Sequence, residues 1–192
     1  MALLALPDDE TTLVQHWTLS ENDLAIIVRR RRPHNRLGFA IQLCAVRYPG
    51  RLLRPGELIA DTTLAFVAEQ LQIAPEALAD YATRGPNRYE QLNALREGFG
   101  FTQFSRPLQA ALQEWLLPIA LTTTGGAGLA RSLLSECRRR RIIVPGISSV
   151  GRMVAQALLD AERHVAEHLT RGLEAGQRVC LIAFFYLMPA RT

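Results

Sequence analysis

The sequence predicts an all-α fold, and three observations carry the prediction. Apolar residues recur at i, i+3, i+4 and i+7 along nearly the whole chain. No stretch alternates apolar and polar residues as a half-buried strand does. Turn signals such as Pro49-Gly50 and Arg84-Gly85-Pro86-Asn87 cut the periodic runs into short pieces. The 192 residues are 48% hydrophobic, enough for a packed core and too much for a disordered tail, and their number fits one ordinary domain or two small ones.

The elements follow in order. Ser20 and Asp23 resemble a capping box that opens a helix through Arg31, with Leu24, Ile27 and Val28 on its apolar face. Pro33 ends that helix, because the residue before a proline is pushed out of the α region. A second helix spans about Asn35 to Tyr48, with Leu37, Ala40, Ile41, Cys44, Ala45 and Tyr48 as its stripe. Phe39, Leu43 and Val46 widen that stripe, which predicts the most buried helix of its domain. Asp61 or Thr62 caps a third helix, and Pro75 stands early in a short fourth, where its missing N–H costs least. A further helix runs from about Arg88 to Glu97 and stops at Gly98 or Gly100. Ser105 caps the next, whose stripe includes Leu108, Leu112, Trp115 and Leu116, and Pro118 bends or ends it. Thr122 to Gly126 is a loop, Leu129 to Arg140 a helix, and Ile142 to Gly146 a short extended exit. Ser148 or Ser149 then starts a long helix to about Thr170, and an apolar helix follows to Leu187. The expected division is 1–84 and 85–146 as two small helical, helix-turn-helix-like bundles, with 147–192 as a C-terminal helix or helical pair.

Charge is strongly segregated. All 22 basic residues are arginine, against 18 acids, for a net charge of +4. Arg29 to Arg54 holds eight arginines and no acid; Arg131 to Arg152 holds six arginines and one acid, Glu136; the remainder is acidic. Two compact basic zones on an acidic body read as electrostatic footprints. Arginine suits phosphate because its planar fork donates two parallel hydrogen bonds and stays ionised. The plainer alternative is that such runs are solvated helix faces.

Other chemistries find little support. Cys44, Cys137 and Cys180 are too scattered for a disulfide scaffold or a zinc module, which predicts a reducing, cytoplasmic setting. Met1 to Leu6 is too short for the apolar region of a signal peptide, and the longest apolar run, Val179 to Pro189, falls short of a membrane span. His164 and His168 share a helical face but lack the remaining ligands a metal needs. Thr124-Gly125-Gly126-Ala127-Gly128 lacks the lysine and preceding strand of a phosphate loop. Asp8, Asp9 and Glu10 are consecutive and read as a solvated segment. No nucleophile is paired with a base, so no catalytic residue, metal ligand or cofactor is nominated.

Short helices, tight turns and arginine runs are the parts of a helix-turn-helix DNA reader, in which one helix enters the major groove and flanking arginines hold phosphates. Arg29, Arg30, Arg31, Arg32, Arg36, Arg47 and Arg51 would hold one backbone segment, and Arg138, Arg139, Arg140 and Arg141 another. Asn35, Asn87, Arg36, Arg88 and Gln42 are the candidates to reach base edges.

The segments Arg29-Arg30-Arg31-Arg32-Pro33-His34-Asn35-Arg36-Leu37-Gly38-Phe39-Ala40-Ile41-Gln42-Leu43-Cys44 and Arg47-Tyr48-Pro49-Gly50-Arg51 resemble the N-terminal region of Tn3-family transposases. So do Phe66 to Leu71, Tyr81-Ala82-Thr83-Arg84 and Arg138-Arg139-Arg140-Arg141-Ile142-Ile143-Val144-Pro145, and the resemblance spans roughly Leu13 to Leu181. It implies sequence-specific binding of double-stranded DNA at transposon terminal inverted repeats, with His34 and Arg84 joining the candidate residues. It also implies replicative, cointegrate-forming transposition by the intact protein, through a metal-binding acidic triad in a later RNase H-like domain. The chain itself is then expected to bind without cutting, in the bacterial cytoplasm at the nucleoid, with an intact transposase or a second copy as further partners. After about Leu181 the sequence departs from the family pattern, which reads as a truncated or frame-shifted gene or the end of an engineered fragment. The competing expectation is a helical protein-interaction module whose arginines bind acidic partner surfaces.

Overall fold

A computed structural model describes residues 3–54, 56–84, 88–123 and 125–171, together with 176, 177, 179, 180 and 183. Among the described residues the regular structure is helical apart from two two-residue strands. The elements are α1 (Glu10–Trp17), α2 (Glu21–Val28), α3 (Pro33–Arg47), α4 (Asp61–Leu71), a 3-10 turn (Pro75–Ala77), α5 (Leu78–Arg84), α6 (Arg88–Phe99), β1 (Thr102–Gln103), α7 (Arg106–Ala120), α8 (Gly126–Arg139), β2 (Ile142–Ile143) and α9 (Ile147–Thr170). No described helix is long and apolar enough to cross a membrane. The expected apolar helix to Leu187 falls largely outside the described residues.

Local chemistry explains the helix ends. The Ser20 hydroxyl accepts from the Asp23 N–H, and the Asp23 carboxylate accepts from the Ser20 N–H at 2.7 Å, so the capping box at α2 is complete. The helix ends at Val28 rather than Arg31. Pro33 takes the first position of α3, where its fixed φ favours helix and its missing N–H is no loss; it starts the next helix rather than ending the previous one. Asp9, expected to be solvated, caps a helix that periodicity did not predict, accepting from the Thr12 N–H at 2.9 Å. Ser105 holds the N-cap position of α7 without a side-chain cap bond, Pro118 fits within the last turn of α7, and α9 starts after Gly146.

The apolar side chains form two cores. The first gathers Leu13, Trp17, Ile27, Val67 and nearly all of α3, but also Leu95 and Phe99 of α6. The second is built by Leu112 and Leu116 of α7, Leu129, Leu133 and Leu134 of α8, and Val150, Met153, Val154 and Ala157 of α9. Helix α6 therefore packs in the first core and α9 in the second. In α3 ten consecutive residues, Leu37 to Val46, are buried, which makes it the axle of the first core.

The cores are joined by a small device. β1 and β2 pair in parallel, Thr102 with Ile142 and Gln103 with Ile143. Successive strand residues point to opposite faces. Ile142 accordingly enters the second core and Ile143 the first. The Gly50 carbonyl accepts from the Val144 N–H at 2.7 Å, and the Trp17 indole donates to the Tyr48 carbonyl at 2.9 Å, so the turn after α3, with its cis Tyr48–Pro49 peptide, lies against both units.

Candidate nucleic-acid interface

The junction of the two cores forms a polar cleft of about 610 Å³. Arg47 reaches it from the last turn of α3, Arg138 from the last turn of α8 and Arg141 from the step into β2; Asn22 and the Gly98–Phe101 turn complete its walls. The folding of the chain thus brings Arg47 of the first basic zone beside Arg138 and Arg141 of the second.

Each of the three guanidiniums is held. Arg47 makes a paired contact with Asp23, Nη1 to Oδ2 at 2.7 Å and Nη2 to Oδ1 at 2.5 Å. Asp23 is buried. Burial alone would raise its carboxyl, but Arg47 and the Ser20 N–H and hydroxyl outweigh it and hold the group below the usual carboxylate range. Arg47 also lies 5.8 Å from the Phe99 ring centre. Arg138 donates to the Pro49 carbonyl at 3.3 Å and to the Ser135 hydroxyl at 3.1 Å, with its guanidinium 5.2 Å from the Tyr48 ring centre. Arg141 donates to the Phe99 carbonyl at 2.8 Å, and its own carbonyl accepts from Thr102. Among the described residues Asp23 is the one carboxylate lining the cleft, and its charge is matched by Arg47. Arg138 and Arg141 leave the cleft net positive, with backbone carbonyls fixing their positions. Such an arrangement attracts an oxyanion and orders few groups on binding it.

A second basic group lies on the α2–α3 turn. Arg29, Arg31 and Arg32 are exposed there, and among the described residues none of them has an acidic partner. Arg30 is different. Its guanidinium stacks 3.5 Å from the Phe39 ring centre, and its carbonyl accepts from Arg36 Nε at 2.7 Å. His34, Asn35 and Arg36 are half-buried in the first turn of α3.

Several predicted contact residues take other places. Gln42 is only 4% exposed and accepts from the Leu53 N–H through its carboxamide, so it braces the core and does not face a base edge. The burial of α3 also removes it as the helix that lies in a groove, since such a helix must show one long face to solvent. Arg51 is committed within the protein: its donors go to the Leu4 and Leu52 carbonyls and to the Glu57 carboxylate. Arg139 and Arg140 both pair with Glu136, whose carboxyl they push down to about 2; Arg139 stays largely exposed. Arg84 closes α5 and Arg88 opens α6, while Asn87 lies outside the described residues. Asn22 and the Gly98–Phe101 turn were not predicted; nothing in their local sequence marks them, because the cleft exists only once α6 packs beside α2 and α3. His164 and His168 are exposed on α9, and among the described residues no three His, Cys, Asp or Glu side chains gather as a metal site would need.

Comparison with known proteins places these residues in a family. The family model described as "Domain of unknown function (DUF4158)" matches residues 1–157. The chain is 37% identical over 177 residues to the transposase for transposon Tn21 of Escherichia coli, covering 92% of this chain and 18% of that protein. The transposase for transposon Tn501 of Pseudomonas aeruginosa is 34% identical over 179 residues, 93% of this chain and 18% of that protein. The transposase for transposon gamma-delta of Escherichia coli (strain K12) is 30% identical over 155 residues, 79% of this chain and 16% of that protein. The chain thus spans less than a fifth of the length of these relatives, and the family model's match includes the Arg29–Arg32 turn and the residues that line the arginine cleft. This chain belongs to the DUF4158 family, and it matches an N-terminal region of Tn3-family transposases.

Proposed function

We propose that the chain binds double-stranded DNA at the terminal inverted repeats of a transposon, and that its share of transposition is recognition rather than strand chemistry. One observation carries the reading: Arg47 of the first basic zone and Arg138 and Arg141 of the second meet in a single net-positive cleft, each held by other groups. A duplex phosphate supplies the oxyanion this cleft is built to take, and Arg29, Arg31 and Arg32 supply a second, unpaired group of charges. Two cores joined through β1 and β2 suit a long site, because a second contact made by a linked unit is intramolecular. Names of the relatives support a role in transposition, and strand cleavage and joining are assigned under this proposal to the larger part of such proteins that this chain does not match.

The test is a titration of the chain against a duplex of the terminal repeat flanking its gene, beside a scrambled duplex and a polyglutamate chain, at two salt concentrations. Preference for the repeat, with affinity that falls steeply in salt, is the expected result. Equal affinity for both duplexes removes sequence recognition. Polyglutamate binding as tight as DNA binding favours the protein-interaction module instead.

A further inference from the structure

Resting on that DNA-binding reading, we infer that α8 is the helix that reads base edges, with Arg131 as a base-contacting residue, and that α3 is a structural axle. A helix that lies in a major groove runs between two rows of phosphates, so a long solvent face with few carboxylates, lined with short or donor side chains, suits it. Helix α8 meets all three conditions. Ala127, Arg131, Ser135 and Arg139 are exposed at intervals of four residues, which places them along one side of the helix. The fourteen residues of α8 span about 21 Å. Its single acid, Glu136, is 6% exposed and is neutralised by Arg139 and Arg140.

No other described helix combines a long exposed face with the absence of an exposed carboxylate. Helix α3 carries no acid, but its ten central residues are buried. The remaining helices each expose at least one carboxylate, as Glu21 does on α2, Glu114 on α7, and Glu162 and Glu167 on α9. The face of α8 is also continuous with the cleft. Ser135 on the exposed stripe is hydrogen-bonded to Arg138, which lines the cleft one turn further on. A backbone held by Arg138 and Arg141 therefore runs past the C-terminal end of α8, while Arg131, two turns earlier, is exposed on the same helix. Arginine bonds guanine O6 and N7 together, and serine bonds either partner of a pair.

The experiment compares the unaltered chain with Arg131→Ala and Ala127→Glu. Each is titrated against the terminal repeat, a scrambled duplex and a panel of repeats carrying single base-pair changes. Both positions are exposed, and circular dichroism with urea unfolding establishes that each variant is folded. Expected for Arg131→Ala is loss of about 5- to 150-fold of preference at one G·C pair, with affinity for the scrambled duplex little changed. Expected for Ala127→Glu is weakening of roughly tenfold or more on the repeat, from a carboxylate set between phosphate rows. If Arg131→Ala weakens repeat and scrambled duplex by one common factor, Arg131 holds only phosphate; if Ala127→Glu leaves affinity for the repeat unchanged, α8 faces away from the duplex. Either outcome overturns the assignment of α8 and leaves DNA binding intact. Failure of the unaltered chain to prefer the repeat overturns both this assignment and the reading beneath it.

Discussion

Asp23 serves two structures at once. It completes the capping box of α2 and neutralises Arg47, which stands 24 residues further along the chain. Replacing it by Asn keeps the size and removes the charge, so Arg47 is left in a polar cleft with a weaker partner. Asp23→Asn is expected to destabilise the chain by about 2 kcal/mol, read as a lower urea midpoint at pH 7. Acid should act through the same kind of contact. Asp23, Glu57 and Glu136 all have carboxyls held below their ordinary values by arginine partners, Glu136 at about 2. A depressed pKa means that the folded chain gives up protons more readily than the unfolded one. The stability this contributes is complete above the ordinary carboxylate range and drains away as pH falls through it toward the folded values. Urea midpoints should fall steadily below about 4.5, and Glu136→Gln should make that fall shallower. A midpoint that rises on acidification contradicts the sign.

At the scale of elements, the two cores depend on the turn that follows α3. Gly50 has φ of +107°, and a Cβ there would meet Val144 Cγ2 at 2.9 Å and Arg138 Cγ at 3.2 Å. Gly50→Ala is therefore expected to cost roughly 2 kcal/mol and to loosen Arg138, lowering the urea midpoint and the DNA affinity together. Unchanged affinity in a destabilised variant separates the turn from the cleft. Pro49-Gly50 is legible in the sequence as a turn, but its packing against β2 is not, since the two segments are joined only by tertiary contacts. The same holds elsewhere. The α3 stripe, the capping box at Ser20 and the all-α class follow from local pattern, because periodicity and capping are properties of neighbouring residues. Helix α1 was hidden because its first turn is polar and only Leu13 and Trp17 carry its buried face. The β1–β2 pair is too short for alternation to register. Arginine density located the basic zones, yet it could not separate Arg51, which Glu57 and backbone carbonyls consume, from Arg138 and Arg141, which the fold aims into a cleft.

For the whole molecule, the distinction between displayed and consumed arginines becomes a measurable quantity. Each phosphate neutralised on duplex DNA contributes about 0.9 to the slope of log affinity against log salt. Arg138→Gln with Arg141→Gln should reduce that slope by up to about 1.8, and the triple change of Arg29, Arg31 and Arg32 to Ala by up to about 2.7. Arg51→Ala provides the contrast. Its charge already faces Glu57 inside the fold, so its loss should lower the urea midpoint while the slope measured on the folded chain stays the same. The three measurements together decide how the charge is used. If Arg51→Ala flattens the slope as much as the cleft variants do, DNA binding follows total charge and the cleft has no special place. If only the α2–α3 turn matters, the duplex lies across the first core alone, and the second core supports the fold without touching the backbone. A reduction from both groups, with none from Arg51, means that the turn and the cleft both engage the backbone while Arg51 serves only the fold.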